Sequence, residues 1–239
     1  MPVWNERATI AEILSRVLAV DVGMPIEVIV VEDCSTDGTR EWLVANVAGD
    51  PRVRLILREV NDGKASAVRE GIAAARGDYL IIQDADLEYE PREFRALLDR
   101  LRGGNQQAGS ASADVVNGSR YPHDRQVPDP LHRLVNKVFT TTFNLIHGTR
   151  HTDLLSCYKV MRMDVAKGLR IRSRGFQLET EMMTWFARKG LRVVEAPISY
   201  RPRTYAEGKK IAWTDTFRIF WAMAKFAWLT PASWLCQRD

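Results

Sequence analysis

Little in this 239-residue sequence suits an oxidising or membrane-spanning protein. It holds three cysteines, Cys34, Cys157 and Cys236, scattered and odd in number. That excludes a disulfide framework, and their spacing matches no zinc site. No apolar run reaches the eighteen or so residues of a spanning helix. No basic-then-apolar leader opens the sequence, and no internal repeat or linker interrupts it. The expectation is a cytoplasmic protein. Net charge is equally sparse: the excess of +4 is carried by residues 201–239, which hold seven Lys/Arg against three acids. The first 200 residues are neutral, so they offer nucleic acid no basic face.

What is present is ordinary globular chemistry, 46% hydrophobic and 27% charged, enough for a sizeable core. Strand and helix signals alternate. Residues 26–31 form a branched apolar run ending in Glu32-Asp33. Asp37-Gly38-Thr39 reads as a turn and cap before a helix over 39–47. A strand is predicted at 53–57, a helix at 64–75, a strand at 79–83 and a helix from Pro91 to about 102. Residues 103–112 and 121–131 read as loops around a short strand that begins at Val115. The alternation argues for an α/β fold with a mostly parallel sheet.

The most telling stretch is Tyr79-Leu80-Ile81-Ile82-Gln83-Asp84-Ala85-Asp86-Leu87-Glu88. A buried-strand pattern stops abruptly in carboxylates, at the end of the strand where open α/β sheets place ligands. Three crowded acids repel one another unless a cation neutralises them. Hard divalent ions prefer such oxygens and share them with substrate phosphates. A metal–diphosphate site is therefore expected, against the plainer reading of a solvated acidic loop.

Further blocks join this one. They are Pro2-Val3-Trp4-Asn5-Glu6, Val30 to Thr39 (Val-Val-Glu-Asp-Cys-Ser-Thr-Asp-Gly-Thr), Asn61-Asp62-Gly63-Lys64 and Gly118-Ser119-Arg120-Tyr121. Phe176-Gln177-Leu178-Glu179 and Glu195-Ala196-Pro197-Ile198 complete the series. Each block alone is weak, but the ordered set resembles family 2 glycosyltransferases, and among them the dolichyl-phosphate mannose synthase type. The resemblance runs from Pro2 to about Leu229. It implies a GT-A fold, a single mixed sheet flanked by helices, in a catalytic domain over 1–205. It also implies hexose transfer, with inversion, from a nucleotide sugar of the GDP-mannose or UDP-glucose type to a polyprenyl or dolichyl phosphate.

The resemblance further assigns roles. Pro2, Trp4, Glu6, Glu32 and Asp33 line the nucleotide pocket, where carboxylates accept hydrogen bonds from base and ribose. Lys64 lies by the diphosphate, at a helix start that favours anions. Asp84 and Ala85 hold ribose or sugar, and Asp86 with Glu88 binds Mg²⁺ or Mn²⁺, which stabilises the leaving diphosphate. A phosphate acceptor is already anionic and needs positioning rather than a base. Arg120 and Arg133 fall where the subgroup places acceptor arginines. Arg203 and Lys209 belong to a basic loop that closes over the donor. Asp153 is expected to bind sugar hydroxyls. Cys157 departs from a glycine common in relatives, and Phe176, Gln177, Glu179 and Glu181 fit a helix bordering the acceptor entrance.

Two features stand apart. Only Met1 precedes the Pro2–Glu6 block, which leads into an amphipathic helix with Ile10, Ile13, Leu14, Val17 and Leu18 on one face. The fold places a buried strand before that helix, so further apolar residues are expected upstream. At the other end, residues 206–239 mix basic residues with Trp213, Phe217, Trp221 and Trp228. This segment reads as a helix lying in an anionic membrane interface, or one packed on the catalytic domain. The expected partners are a nucleotide-sugar donor, a polyprenyl phosphate, a cytoplasmic membrane surface and a membrane-protein subunit, but no nucleic acid. Transfer to a saccharide or lipid hydroxyl is the alternative activity; a non-catalytic sugar-nucleotide-binding subunit is the alternative class.

Overall fold

The computed structural model describes residues 1–47, 49–103, 112–121, 130–175, 177–203 and 220–231. Seven strands and seven α-helices alternate along them. In order they are β1 (Pro2–Val3), α1 (Ile10–Leu18), β2 (Val28–Glu32), α2 (Thr39–Val47), β3 (Val53–Leu57), α3 (Lys64–Ala74) and β4 (Tyr79–Ile81). Then follow α4 (Phe94–Leu101), β5 (Val115–Ser119), α5 (Pro130–His147), β6 (Lys159–Arg162), α6 (Met163–Gly168), α7 (Leu178–Arg188) and β7 (Val193–Pro197).

Periodicity explains most of these. β2 is buried at all five positions, as a strand covered on both faces must be. α1 buries Ile10, Ile13, Leu14 and Val17, the spacing of one helical face. Pro91 opens a 3-10 turn capped by the Glu90 carboxylate and running into α4. The ends of these elements lie within one to three residues of the expected bounds.

The strands form two hydrogen-bonded sets, in the orders β1-β2-β3 and β4-β6-β5-β7. The first is parallel. In the second, β6 runs antiparallel to β4 and β5, and β7 runs parallel to β5. Both sets contribute to one apolar core containing Val30, Leu97, Val115, Phe143, Tyr158 and Phe186. Where a single sheet was expected, the described strands thus form two hydrogen-bonded sets, with no pairing between β1 and β4. The chain start also differs from expectation. Pro2-Val3 is itself a strand beside Val31 and Glu32, and the helix begins at Ile10, after a turn in which Asn5 has φ 50°.

Helix α5, the longest among the described residues, was not among the expected elements. It exposes Leu134, Val138 and Leu145. Beside it runs a helical segment over 220–229, where the Phe220 and Phe139 rings lie 5.6 Å apart. This segment buries Ala222, Met223 and Phe226 and exposes Trp221, Trp228 and Leu229. Its end is anchored by Arg188, which donates to the carbonyls of Phe226 and Thr230. Trp213, Phe217, Lys209, Phe176 and Cys236 lie outside the described residues, as does most of the 103–112 and 121–131 segments.

Candidate active site

The C-terminal ends of β1 and β2 and the turn after β4 converge with the 200–203 segment on one polar cluster. The β2 end is internally satisfied. Glu32 is fully buried; its carboxylate accepts from the Ser35 amide and from Arg40 Nε, each at 2.5 Å. Asp33 is buried too. It accepts from Arg58 at 2.6 Å and from the amides of Asp62 and Gly63. These two acids, expected to face base and ribose, shape the loops around the pocket. A strand end that must turn sharply leaves amides that buried carboxylates can satisfy.

The loop that Asp33 holds carries Gly63 into α3. Gly63 has φ +84°, and a Cβ there would sit 2.3 Å from the Arg174 carbonyl oxygen. Only glycine fits both constraints. The next residue, Lys64, sends Nζ to Asp84 at 2.8 Å and to Glu179 of α7 at 2.9 Å, with Cys157 Sγ at 3.6 Å. Burial alone would lower this ammonium, but Asp84, Cys157 and Glu179 outweigh it and hold its pKa well above the usual lysine range. Burial likewise pushes Asp84 up, and Lys64 more than reverses it. Cys157 fills its small position against this pair, and burial, then Asp84, drives its thiol well above the usual range. Lys64 therefore fixes Asp84 to α7, joining two blocks that lie 95 residues apart in the sequence.

Asp86 is in the opposite state. Burial, then the charges of Asp84 and Glu88, raise its pKa to about 7. It sits in a turn where Leu87 takes φ 62° and its Oδ1 accepts from the Glu88 amide. Glu88 accepts from the Tyr200 hydroxyl at 3.1 Å and from the Arg203 amide at 2.9 Å. Among the described residues, no three acids or histidines converge in a ready-made metal cage. The residues nonetheless fit a divalent cation: Asp86 is a half-buried carboxyl beside the carboxylates of Asp84 and Glu88. Such sites in nucleotide enzymes use one or two carboxylates and take remaining oxygens from substrate phosphate.

Arg203 closes the cluster. Its Nε donates to the Asp86 carbonyl at 2.7 Å and Nη2 to Glu6 at 2.6 Å. Glu6, expected at the nucleotide, is buried and serves as the anchor of this strap. Trp4, by contrast, is 41% exposed, which rules out core packing. Pro2 lies in β1 and Ala85 is buried.

The acceptor-side residues form a second unit. Asp153 is fully buried, and Arg120 donates to both of its oxygens through Nε at 2.7 Å and Nη2 at 2.8 Å. Asp153, expected to bind sugar hydroxyls, is here engaged by Arg120, whose own amide adds a third bond. The Arg120 guanidinium lies 4.9 Å from the Tyr200 ring centre. Burial opposes its charge, but Asp153 outweighs that and holds it well above the usual range. Glu195 in turn fixes the segment before Asp153, accepting from the Thr152 and Asp153 amides. Arg133 stands exposed on the first turn of α5. Glu181 accepts from the amides of Arg172 and Ser173. Tyr200, which touches both Glu88 and Arg120, was missed, because a lone tyrosine after a strand carries no sequence signal.

Comparison with known proteins decides the family. Residues 1–170 match glycosyl transferase family 2. The chain belongs to that family. Its relatives include the undecaprenyl-phosphate mannosyltransferase of Micrococcus luteus, 30% identical over 87% of this chain and 85% of that protein. Another is glycosyltransferase AglJ of Haloferax volcanii, 31% identical over 84% of this chain. A third is the dolichol-phosphate mannosyltransferase of Pyrococcus furiosus, 29% identical over 87% of this chain. The chain spans 62% of the AglJ length and 57% of the Pyrococcus protein. Among solved structures, glucosyl-3-phosphoglycerate synthase from Mycobacterium tuberculosis in complex with UDP superposes with a TM-score of 0.67. It is 18% identical, over 97% of this chain and 80% of that one. A complex of the same enzyme with Mn²⁺, UDP and phosphoglyceric acid gives 0.65 at 16% identity, over 97% and 78%. These likenesses establish the GT-A fold. No helix among the described residues is long and apolar enough to cross a membrane.

Proposed function

We propose that this family 2 glycosyltransferase moves a hexose from a nucleotide sugar to a polyprenyl phosphate at a membrane surface, with inversion and with Mg²⁺ or Mn²⁺. The observation that carries the reading is the contrast at the end of β4. Asp84 is neutralised by Lys64, whereas Asp86 is left with a raised pKa among like charges, as a site awaiting a cation. The cation, when bound, stabilises charge on the leaving diphosphate. Lys64 and Glu179 keep Asp84 in place for ribose or sugar, Trp4 lines the nucleotide pocket, and Arg203 ties the strap over the donor.

For the acceptor, Arg120 is the residue of choice. Its guanidinium is fixed by Asp153 and stays charged at any working pH, as capture of a phosphate requires. Arg133 is proposed as a further phosphate contact, and Lys209 as a donor contact on the same basic loop as Arg203. The names of the Micrococcus and Pyrococcus relatives favour a lipid-phosphate acceptor. So do the exposed Leu134, Val138, Leu145, Trp221, Trp228 and Leu229 on neighbouring helices, which suit a membrane interface beside Arg133, Lys137 and Lys225. The division into a catalytic unit over 1–205 and an interfacial segment over 206–239, on the cytoplasmic face, follows the same logic.

The test is a panel of radiolabelled GDP- and UDP-hexoses with a polyprenyl phosphate and either Mg²⁺ or Mn²⁺. Metal-dependent label in an organic-extractable, mild-acid-labile lipid is expected. Label that moves only to free glycans refutes the acceptor assignment.

A further inference from the structure

Tyr200 stands between the two units of the site. Its hydroxyl donates to Glu88 Oε2 at 3.1 Å, and the Arg120 guanidinium lies over its ring, 4.9 Å from the ring centre. One side chain thus touches a residue assigned to the cation and the residue assigned to the acceptor phosphate. The fold fixes where that side chain stands. The Tyr200 backbone forms an isolated antiparallel bridge with Tyr89, and the Arg201 amide donates to the Glu88 carbonyl at 2.8 Å. The rings of Tyr89 and Tyr200 pack 5.4 Å apart. Tyr89 is itself buried, and its hydroxyl accepts from the Cys157 amide.

Each contact has its own consequence. Glu88 receives the Arg203 amide on Oε1 and the Tyr200 hydroxyl on Oε2. Its carboxylate is therefore held in one orientation, with lone pairs left over for a cation. Hydrogen bonds of this kind aim a ligating carboxylate, and losing one typically weakens metal binding about 10–100-fold. On the other side, Asp153 holds one edge of the Arg120 guanidinium through Nε and Nη2, and the Tyr200 ring holds its face. A cation over an aromatic ring is attracted most strongly where water is excluded, and the Arg120 side chain is only 13% exposed. With edge and face both held, the donors on Nη1 stay aimed in one direction, as forked capture of a phosphate needs.

We propose that Tyr200 is a positioning residue for both ligands: its hydroxyl aims Glu88 at the cation and its ring aims Arg120 at the acceptor phosphate, so that the two ligands bind cooperatively through it. The role rests on the cation and acceptor assignments of the proposed function and adds a coupling that neither of them requires. The physical basis is the rigidity of the ring. Whatever fixes the hydroxyl end also fixes the face beneath Arg120. A cation held by Glu88 fixes the hydroxyl end, which leaves the phosphate less ordering to do. By linkage the phosphate tightens the cation by the same factor.

Calorimetry on the whole chain tests this, with Mn²⁺ plus UDP or GDP (whichever the parent binds more tightly) as one ligand and farnesyl phosphate as the other. Each is titrated alone and in the presence of the other, for the parent, Tyr200→Phe and Tyr200→Leu. In the parent each ligand is expected to tighten the other about fivefold or more. Tyr200→Phe keeps the ring and loses the donor. Its Kd for Mn²⁺ with nucleotide is expected to rise about tenfold and the mutual tightening to disappear, while farnesyl phosphate alone binds as in the parent. Tyr200→Leu loses the ring as well, and farnesyl phosphate alone is then expected to bind about threefold more weakly or worse. A side chain that only supported the fold would lower the melting temperature without separating the two Kd values in this way. Where Tyr200→Leu does not fold, Tyr200→Met takes its place. Tyr200→Phe with the parent's cation affinity and the parent's coupling overturns the proposal. So does a parent that binds both ligands independently, an outcome that leaves the proposed reaction standing. A parent that binds no farnesyl phosphate refutes the acceptor assignment itself, and the coupling falls with it.

Discussion

Replacing Lys64 by Met removes the one cation that two buried carboxylates share. The Lys64 and Asp84 side chains are each 16% exposed and that of Glu179 8%, so water cannot take over the role of Nζ. Breaking a buried pair by deleting one partner costs about 3–5 kcal/mol. Taking about 3 for a partly exposed cluster gives a fall in melting temperature of about 6–12 °C at pH 8 for a chain of this size. The pH dependence carries the sharper test. In the native protein Asp84 is held below the ordinary carboxylate range, so its stabilising contribution is present above pH ~4 and fades as pH falls below that. In Lys64→Met burial is opposed only by the weaker pulls of Cys157 and the Met1 ammonium, and Asp84 titrates upward. Each unit of that rise is worth about 1.4 kcal/mol of destabilisation, and it accumulates as pH climbs from about 4. Denaturant melts of both proteins at pH 5 and pH 8 measure the difference directly. A penalty that is equal at the two pH values, or below about 1 kcal/mol at pH 8, refutes the claim that Lys64 neutralises a buried Asp84.

Asp86→Asn is expected to abolish turnover while raising stability. The Asp86 pKa of about 7 means the folded state holds a proton that the unfolded state releases near pH 4. Stability therefore drains as pH rises through that window, and the variant should outmelt the parent at pH 8 in chelator yet match it near pH 4. It should also lose any Mn²⁺-induced rise in melting temperature; retained turnover sinks the cation assignment. Arg120→Ala strands the fully buried Asp153 and should cost about 3–5 kcal/mol. Arg120→Met with Asp153→Asn should recover most of that stability but not the acceptor KM, which is expected to rise at least tenfold while donor Kd stays within twofold. A double variant that binds the donor poorly and the acceptor normally contradicts the assignment. Gly63→Ala forces a Cβ against the Arg174 carbonyl and should weaken donor binding measured by calorimetry; unchanged affinity shows that the loop yields freely.

Elements were legible where one residue pattern dictates one structure. The apolar run of β2, the cap and turn before α2 and the Pro91 start before α4 are local, and local chemistry decides them. The site was legible as a set of blocks, since Asp84, Asp86 and Glu88 do occupy one strand end and Lys64 does open a helix. Helix α5 escaped because its start lies beyond a Pro- and His-rich stretch, and its buried Asn136 and Thr140 blur the apolar periodicity on which prediction depends.

Pairing was not legible, and pairing decides roles. A carboxylate in a sequence is equally a ligand, a base or a brace. Only the fold shows that Asp153 meets Arg120, that Glu32 and Asp33 face inward to loop amides, and that Glu6 receives Arg203 from 197 residues away. The physical reason is common to all four. A sheet that ends in a ligand pocket must turn its chain through tight, partly buried loops, and each such loop exposes donors that a nearby acid is recruited to satisfy. Most acids at a strand end are therefore structural, and the functional one is the acid left unsatisfied. By that criterion Asp86 stands out at the end of β4: burial, then the charges of Asp84 and Glu88, drive its carboxyl toward neutrality, and what donates to it is the Glu88 amide, which is why it carries the proposed cation role.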